Sequence, residues 1–190
     1  MTIKLPTQEQ VSDTAKKLGI TITKEDVGSF QALMQGYVDS YNVVDKMPDE
    51  LPKVTYPRTP GYRPEGNDNS LNAWAVKSEI KGASKGPLVG KTVALKDNVM
   101  VAGMGMTNGS STLDGYIPDI DATIVTRLLE AGATVKGKVH CECFCLSGGS
   151  HTSSFGNVHN PMKMGYSAGG SSSGSAAVVG AGDVDMAIGG

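Results

Sequence analysis

Gly90-Lys91-Thr92-Val93-Ala94-Leu95-Lys96-Asp97-Asn98 is the stretch on which the fold turns. Val93, Ala94 and Leu95, framed by lysines, read as a short buried strand over Lys91–Lys96. A loop rich in Gly, Met and Ser follows, through Ser111. Asp121 then stands where it can cap a helix along Ile124, Val125, Leu128 and Leu129, with Gly132 near its end. Ala133–Val139 reads as a second strand, Ser175–Val179 as a short helix behind a Gly/Ser loop, and Val184–Ile188 as another strand. Strands alternating with helices predict an α/β fold, a mixed sheet flanked by helices with some parallel pairing.

Outward toward the N-terminus the pattern becomes helical. Thr7-x-x-Gln10 is a capping box opening a short helix, with Val11, Ala15 and Leu18 inward and Gly19 as its stop. Thr23 caps a longer helix, with Glu25 and Asp26 favourable in its first turn. Val27, Phe30, Leu33, Met34, Tyr37, Val38, Tyr41 and Val44 follow at helical spacing, and Pro48 ends the run. Pro52, Pro57, Pro60 and Pro64 mark an extended connection up to Gly66. The expected division is therefore a small N-terminal helical domain with its linker over 1–66, and an α/β portion over 67–190.

Composition narrows the function. With 39% hydrophobic residues the chain can bury a core, so disorder is not expected. A net charge of -2 and no Lys/Arg run give no electrostatic case for nucleic acid. The first residues lack the apolar segment of a signal peptide, and no run nears the ~18 apolar residues of a membrane span. The three cysteines make no disulfide framework. These features predict a soluble, cytoplasmic protein.

Two features carry chemistry. Gly169-Gly170-Ser171-Ser172-Ser173-Gly174-Ser175 could be a turn capping a helix, or a loop whose hydroxyls act as nucleophile, relay or anion donor. Lys96 closes the strand. Its charged end could reach solvent where the strand leaves the sheet, or, if buried, lose its proton and serve as a base. Cys141, Cys143 and Cys145 alternate, a spacing unlike that of zinc modules, and read as small buried hydrophobes with no metal. Glu142, between them, is assigned no role. Met104 and Met106 could line an apolar pocket, but read more simply as loop filler.

A lysine at a strand end and a serine-rich loop are also the parts of a Ser–Lys hydrolase. Gly86-Pro87-Leu88-x-Gly90-Lys91-x-Val93-Ala94-Leu95-Lys96-Asp97-Asn98 resembles the lysine motif of amidase signature enzymes. Asp121-Ala122-Thr123, Gly132-Ala133, Gly137-Lys138 and Phe155-Gly156-Asn157-Val158-x-Asn160-Pro161 follow in that family's order. Gly169-Gly170-Ser171-Ser172-x-Gly174-Ser175-Ala176 resembles the signature itself. The likeness covers Gly86 to Gly190, and the leading segment with Leu71-Asn72-Ala73-Trp74 is similar to amidases associated with nitrile degradation.

The resemblance implies hydrolysis of carboxylic amides to acid and ammonia through an acyl-enzyme, without a cofactor. Lys96 would be the neutral general base and Ser171 the bridging serine, preceded by a cis peptide bond. Gly169, Gly170 and Ser172 would support the site. The family's nucleophile lies in an Asp-x-Gly-Gly-Ser motif after the strand ending Met186-Ala187-Ile188-Gly189-Gly190. The 190 residues are thus expected to form an incomplete amidase signature fold, inactive alone, whose full-length form is a homodimer acting on small-molecule amides. Two other readings stand beside this one: an amidase-like subunit of a tRNA-dependent amidotransferase, and a non-catalytic anion-binding module.

Overall fold

Thr7 and Thr23 open two helices in the computed structural model of the protein, which describes residues 3–190. Helix α1 spans Gln8–Lys17 and α2 spans Lys24–Val44. Each threonine hydroxyl accepts from the amide three residues on, at Gln10 or Asp26, whose side chain accepts from the threonine amide in return. These reciprocal bonds satisfy donors that a helix start leaves unpaired. Gln31 Nε2 donates to the Pro6 carbonyl at 2.8 Å, tying α2 to the approach to α1.

The apolar stripe of α2 is less buried than its spacing predicts. Only Val27 and Val38 are buried; Phe30, Leu33, Tyr37, Tyr41 and Val44 are exposed. Leu18, expected inward, is the C-cap of α1 and is exposed as well. Length explains this: α1, with 10 residues, is about 15 Å long and cannot cover the roughly 32 Å of the 21-residue α2. The two helices belong to a unit of their own, Met1–Glu50, and the remainder, Leu51–Gly190, forms a second.

The second unit is built on a four-stranded sheet. Strand β1 (Trp74–Lys81) is followed by β2 (Thr92–Lys96), helix α3 (Thr123–Glu130) and β3 (Thr134–Val139). A small hairpin, β4 (His159–Asn160) and β5 (Lys163–Ser167), precedes α4 (Ser173–Gly180) and β6 (Met186–Ile188). The sheet order is β1-β3-β2-β6. β2 runs parallel to both β3 and β6, and β1 is antiparallel to β3, so the sheet is mixed as expected.

Alternation along β2, with register shifts in β1 and β3 that switch faces partway, divides the core in two. Val93 and Leu95 join Ile80, Val135, Val125 and Leu129 in one cluster, on the α3 side. Ala94 and Val139 join Trp74, Ala177, Val178 and Val184 in the other, on the α4 side. One expectation fails here. Asp121 does not cap α3; Ala122 is the N-cap, without a side-chain bond. Asp121 is instead buried and gripped by Arg58, at 2.6 and 2.9 Å, and by the Ala102 amide at 2.9 Å. A buried carboxylate needs more partners than a helix start provides, and the guanidinium fork supplies them. That grip fastens the Pro-rich segment to the loop after β2.

Candidate active site

The register pairs Lys96 with Val139 and Leu95 with Ile188, so the C-terminal ends of three parallel strands meet at one edge. Sites in open α/β sheets form at that edge. Lys96, one residue beyond Leu95 and two beyond Ala94, takes the Ala94 side, where α4 begins. It is fully buried. Its Nζ lies 2.7 Å from Ser171 Oγ and 3.0 Å from Ser172 Oγ, and also meets the Gly190 carbonyl. Ser171 and Ser172 hydroxyls donate to that same carbonyl at 3.3 and 3.0 Å. Of the two readings of Lys96, the geometry selects the buried one, with the serine loop as its partner.

The loop can approach so closely because of its glycines. The Gly170–Ser171 peptide is cis. A Cβ on Gly170 would collide with the Gly149 carbonyl oxygen and come within 2.9 Å of Glu142 Cγ. A Cβ on Gly174 would come within 2.6 Å of the Ala73 carbonyl and the His140 amide. Gly174 N–H instead donates to the His140 carbonyl at 2.9 Å, which seats α4 on the end of β3. Gly169 turns the chain with φ +77°.

Around the lysine and serines stands a buried polar frame to which the sequence alone assigns no roles. Asp97 and Lys138, both buried, form an ion pair at 2.9 Å. Asp97 Oδ2 also accepts from the Thr107 amide and hydroxyl and from the Asn108 amide, folding the loop after β2 onto the strand end. Burial pushes the Lys138 ammonium below the ordinary lysine value, and the Asp97 charge pulls it back up. His140 is also held below its ordinary value by burial, against its 2.8 Å bond with the Asn72 carbonyl.

Glu142 braces the serine loop from beneath. Its amide donates to the Ser171 carbonyl at 3.1 Å. Its carboxylate Oε2 accepts from the His151 and Thr152 amides and the Thr152 hydroxyl, while Oε1 has no partner among the described residues. Lys138 carries a readable signal in the sequence, since it stands near the C-terminal end of a strand as Lys96 does. Glu142 carries none, because its partners lie on a loop that only folding brings to it.

A family model described as Amidase matches residues 67–190, the portion that holds this whole arrangement. The chain belongs to the amidase family. An enantioselective amidase of Rhodococcus rhodochrous is 42% identical over 187 residues, covering 97% of this chain and 36% of that protein. A glutamyl-tRNA(Gln) amidotransferase subunit from Haloarcula marismortui is 50% identical over 118 residues, covering 62% of this chain and 28% of that protein. The chain thus spans about a third of the length of these curated relatives.

Solved amidase-family structures show the same fold. The corresponding glutamyl-tRNA(Gln) amidotransferase subunit from Thermotoga maritima superposes with a TM-score of 0.60 at 36% identity, over 65% of this chain and 27% of that one. A peptide amidase bound to chymostatin gives 0.51 at 40% identity, over 55% and 22%. Among the described residues no helix is long and apolar enough to cross a membrane.

Proposed function

We propose that the protein hydrolyses small carboxylic amides, with Lys96 as general base and Ser171 as the bridging hydroxyl. The 2.7 Å contact between a fully buried Lys96 Nζ and Ser171 Oγ carries this reading. A lysine in amine form accepts the Ser171 proton while Ser171 accepts one from the attacking serine, so that a single relay activates the nucleophile. The proton then passes back to the departing ammonia, and water hydrolyses the acyl-enzyme by the same path. The family resemblance puts the nucleophile a few residues beyond Gly190. Gly190 lies against Ser171 and Ser172, so a segment continuing from it starts at the relay.

Hydrolysis is favoured over amidotransfer by the extent of the alignments. The likeness to the Rhodococcus amidase runs through the N-terminal helices, whereas the amidotransferase likeness covers 62% of the chain. The test is ammonia release from simple carboxylic amides by the purified full-length protein without partners. Turnover supports amidase activity. Ammonia formed only with partner subunits and an aminoacyl-tRNA acceptor would instead establish an amidotransferase component, and sulfate or phosphate binding at Ser171–Ser173 without turnover an anion-binding module. The 190-residue chain alone should release no ammonia; robust turnover by it would move the nucleophile to Ser172 or Ser173.

A further inference from the structure

Cys141 and Cys145, outside the relay, are brought together by an unusual turn. Phe144 and Cys145 have φ of 47° and 60°, a left-handed conformation that residues with a side chain rarely adopt unless held. The Cys145 amide donates back to the Glu142 carbonyl at 2.9 Å, closing the turn. Both sulfurs consequently point at one oxygen, Asn108 Oδ1, at 3.7 Å from Cys141 and 3.3 Å from Cys145. Sharing that one acceptor makes the two thiols neighbours. Cys143, though nearer in sequence to each, makes no such contact: its amide is tied to the Thr152 hydroxyl. Among the described residues no group of three or more His, Cys, Asp or Glu side chains is placed to hold a metal ion.

We infer that Cys141 and Cys145 are a modification site, an oxidisable dithiol that a peroxide converts to an intrachain disulfide. Cys145 is only partly buried and meets the oxidant first, whereas Cys141 is buried. The Cys145 thiolate attacks one peroxide oxygen; an S–O bond forms, the O–O bond breaks, and the second oxygen leaves as water after taking up a proton. The Cys141 sulfur then attacks Cys145 sulfur, the S–O bond breaks, and the departing hydroxide takes the Cys141 proton. Both sulfurs are oxidised, and one peroxide is reduced to water. The bridge withdraws both sulfurs from the Asn108 side chain, the residue whose backbone N–H donates to Asp97 Oδ2 at 3.0 Å, next to Lys96 in the chain. Oxidation therefore loosens the frame of the proposed relay, the part of the inference that rests on the amidase reading.

The experiment treats the full-length protein with hydrogen peroxide, alkylates it, and digests it with trypsin. All three cysteines lie in the one peptide Val139–Lys163. The expected product carries a single alkyl group, on Cys143, with a Cys141–Cys145 bridge that dithiothreitol reverses. Cys143→Ser should keep the bridge and Cys145→Ser should abolish it. A peptide alkylated at all three positions, or a bridge through Cys143, overturns the site. Turnover should fall on oxidation, recover with dithiothreitol, and resist oxidation in Cys145→Ser; a bridge that leaves turnover unchanged overturns the link to the relay. Absence of turnover before oxidation would count against the amidase reading, and the peptide map would still decide the disulfide.

Discussion

Lys96 keeps three oxygen neighbours at the end of a buried strand, and two of them are hydroxyls on consecutive residues. Its place was legible because Val93, Ala94 and Leu95 define a buried strand and alternation sets the side on which the next residue falls. That Ser172 also reaches Nζ was not legible, since the turn at the start of α4 fixes both hydroxyls. The two serines should nonetheless differ in consequence. Ser171→Ala removes the bridge and should lower kcat by roughly 10²–10⁴-fold. Ser172→Ala removes a supporting contact to Lys96 and Gly190 and should cost much less. Steady-state ammonia release by the two full-length variants checks the order, and a reversed order would make Ser172 the bridge.

At the scale of elements, the parallel strands and both flanking helices of the second unit could be read from apolar runs bounded by glycines. β1 could not, because Lys77, Ser78 and Glu79 break its apolar pattern where the strand lies at the sheet edge. The exchange of Asp121 from helix cap to buried ion pair was equally hidden, since Arg58 lies 63 residues away. Removing one partner of a buried pair strands the other, so Arg58→Ala should destabilise the fold by about 3–5 kcal/mol. Thermal or urea unfolding measures it, and a change below ~1 kcal/mol would show that the pair is dispensable. The seating of α4 is tested separately by Gly174→Ala. An added methyl within 2.6 Å of the backbone at Ala73 and His140 should cost about 1–3 kcal/mol in the same unfolding experiment.

For the molecule as a whole, the sequence separates a helical N-terminal part from an α/β part. The family model matches residues 67–190, within the second, while the likeness to the Rhodococcus amidase runs through both. The extent of burial was less legible: α2 has the spacing of a buried helix, yet shows most of its stripe to solvent. Global stability should carry a signature of His140. Burial lowers its folded value, so the unfolded chain takes up a proton first as the pH falls. The His140 contribution is therefore whole above its ordinary value of 6.5 and is lost as the pH falls from there toward the lowered folded value. His140→Asn should flatten that part of the acid limb in urea titrations at stepped pH; an unchanged slope would contradict it. The central claim concerns the base, and turnover of the full-length protein with Lys96 replaced tests it most directly. Lys96→Ala should lower kcat by several orders of magnitude, and Lys96→Arg should fail as badly, because a guanidinium keeps its proton. Near-normal kcat in either folded variant would contradict the account.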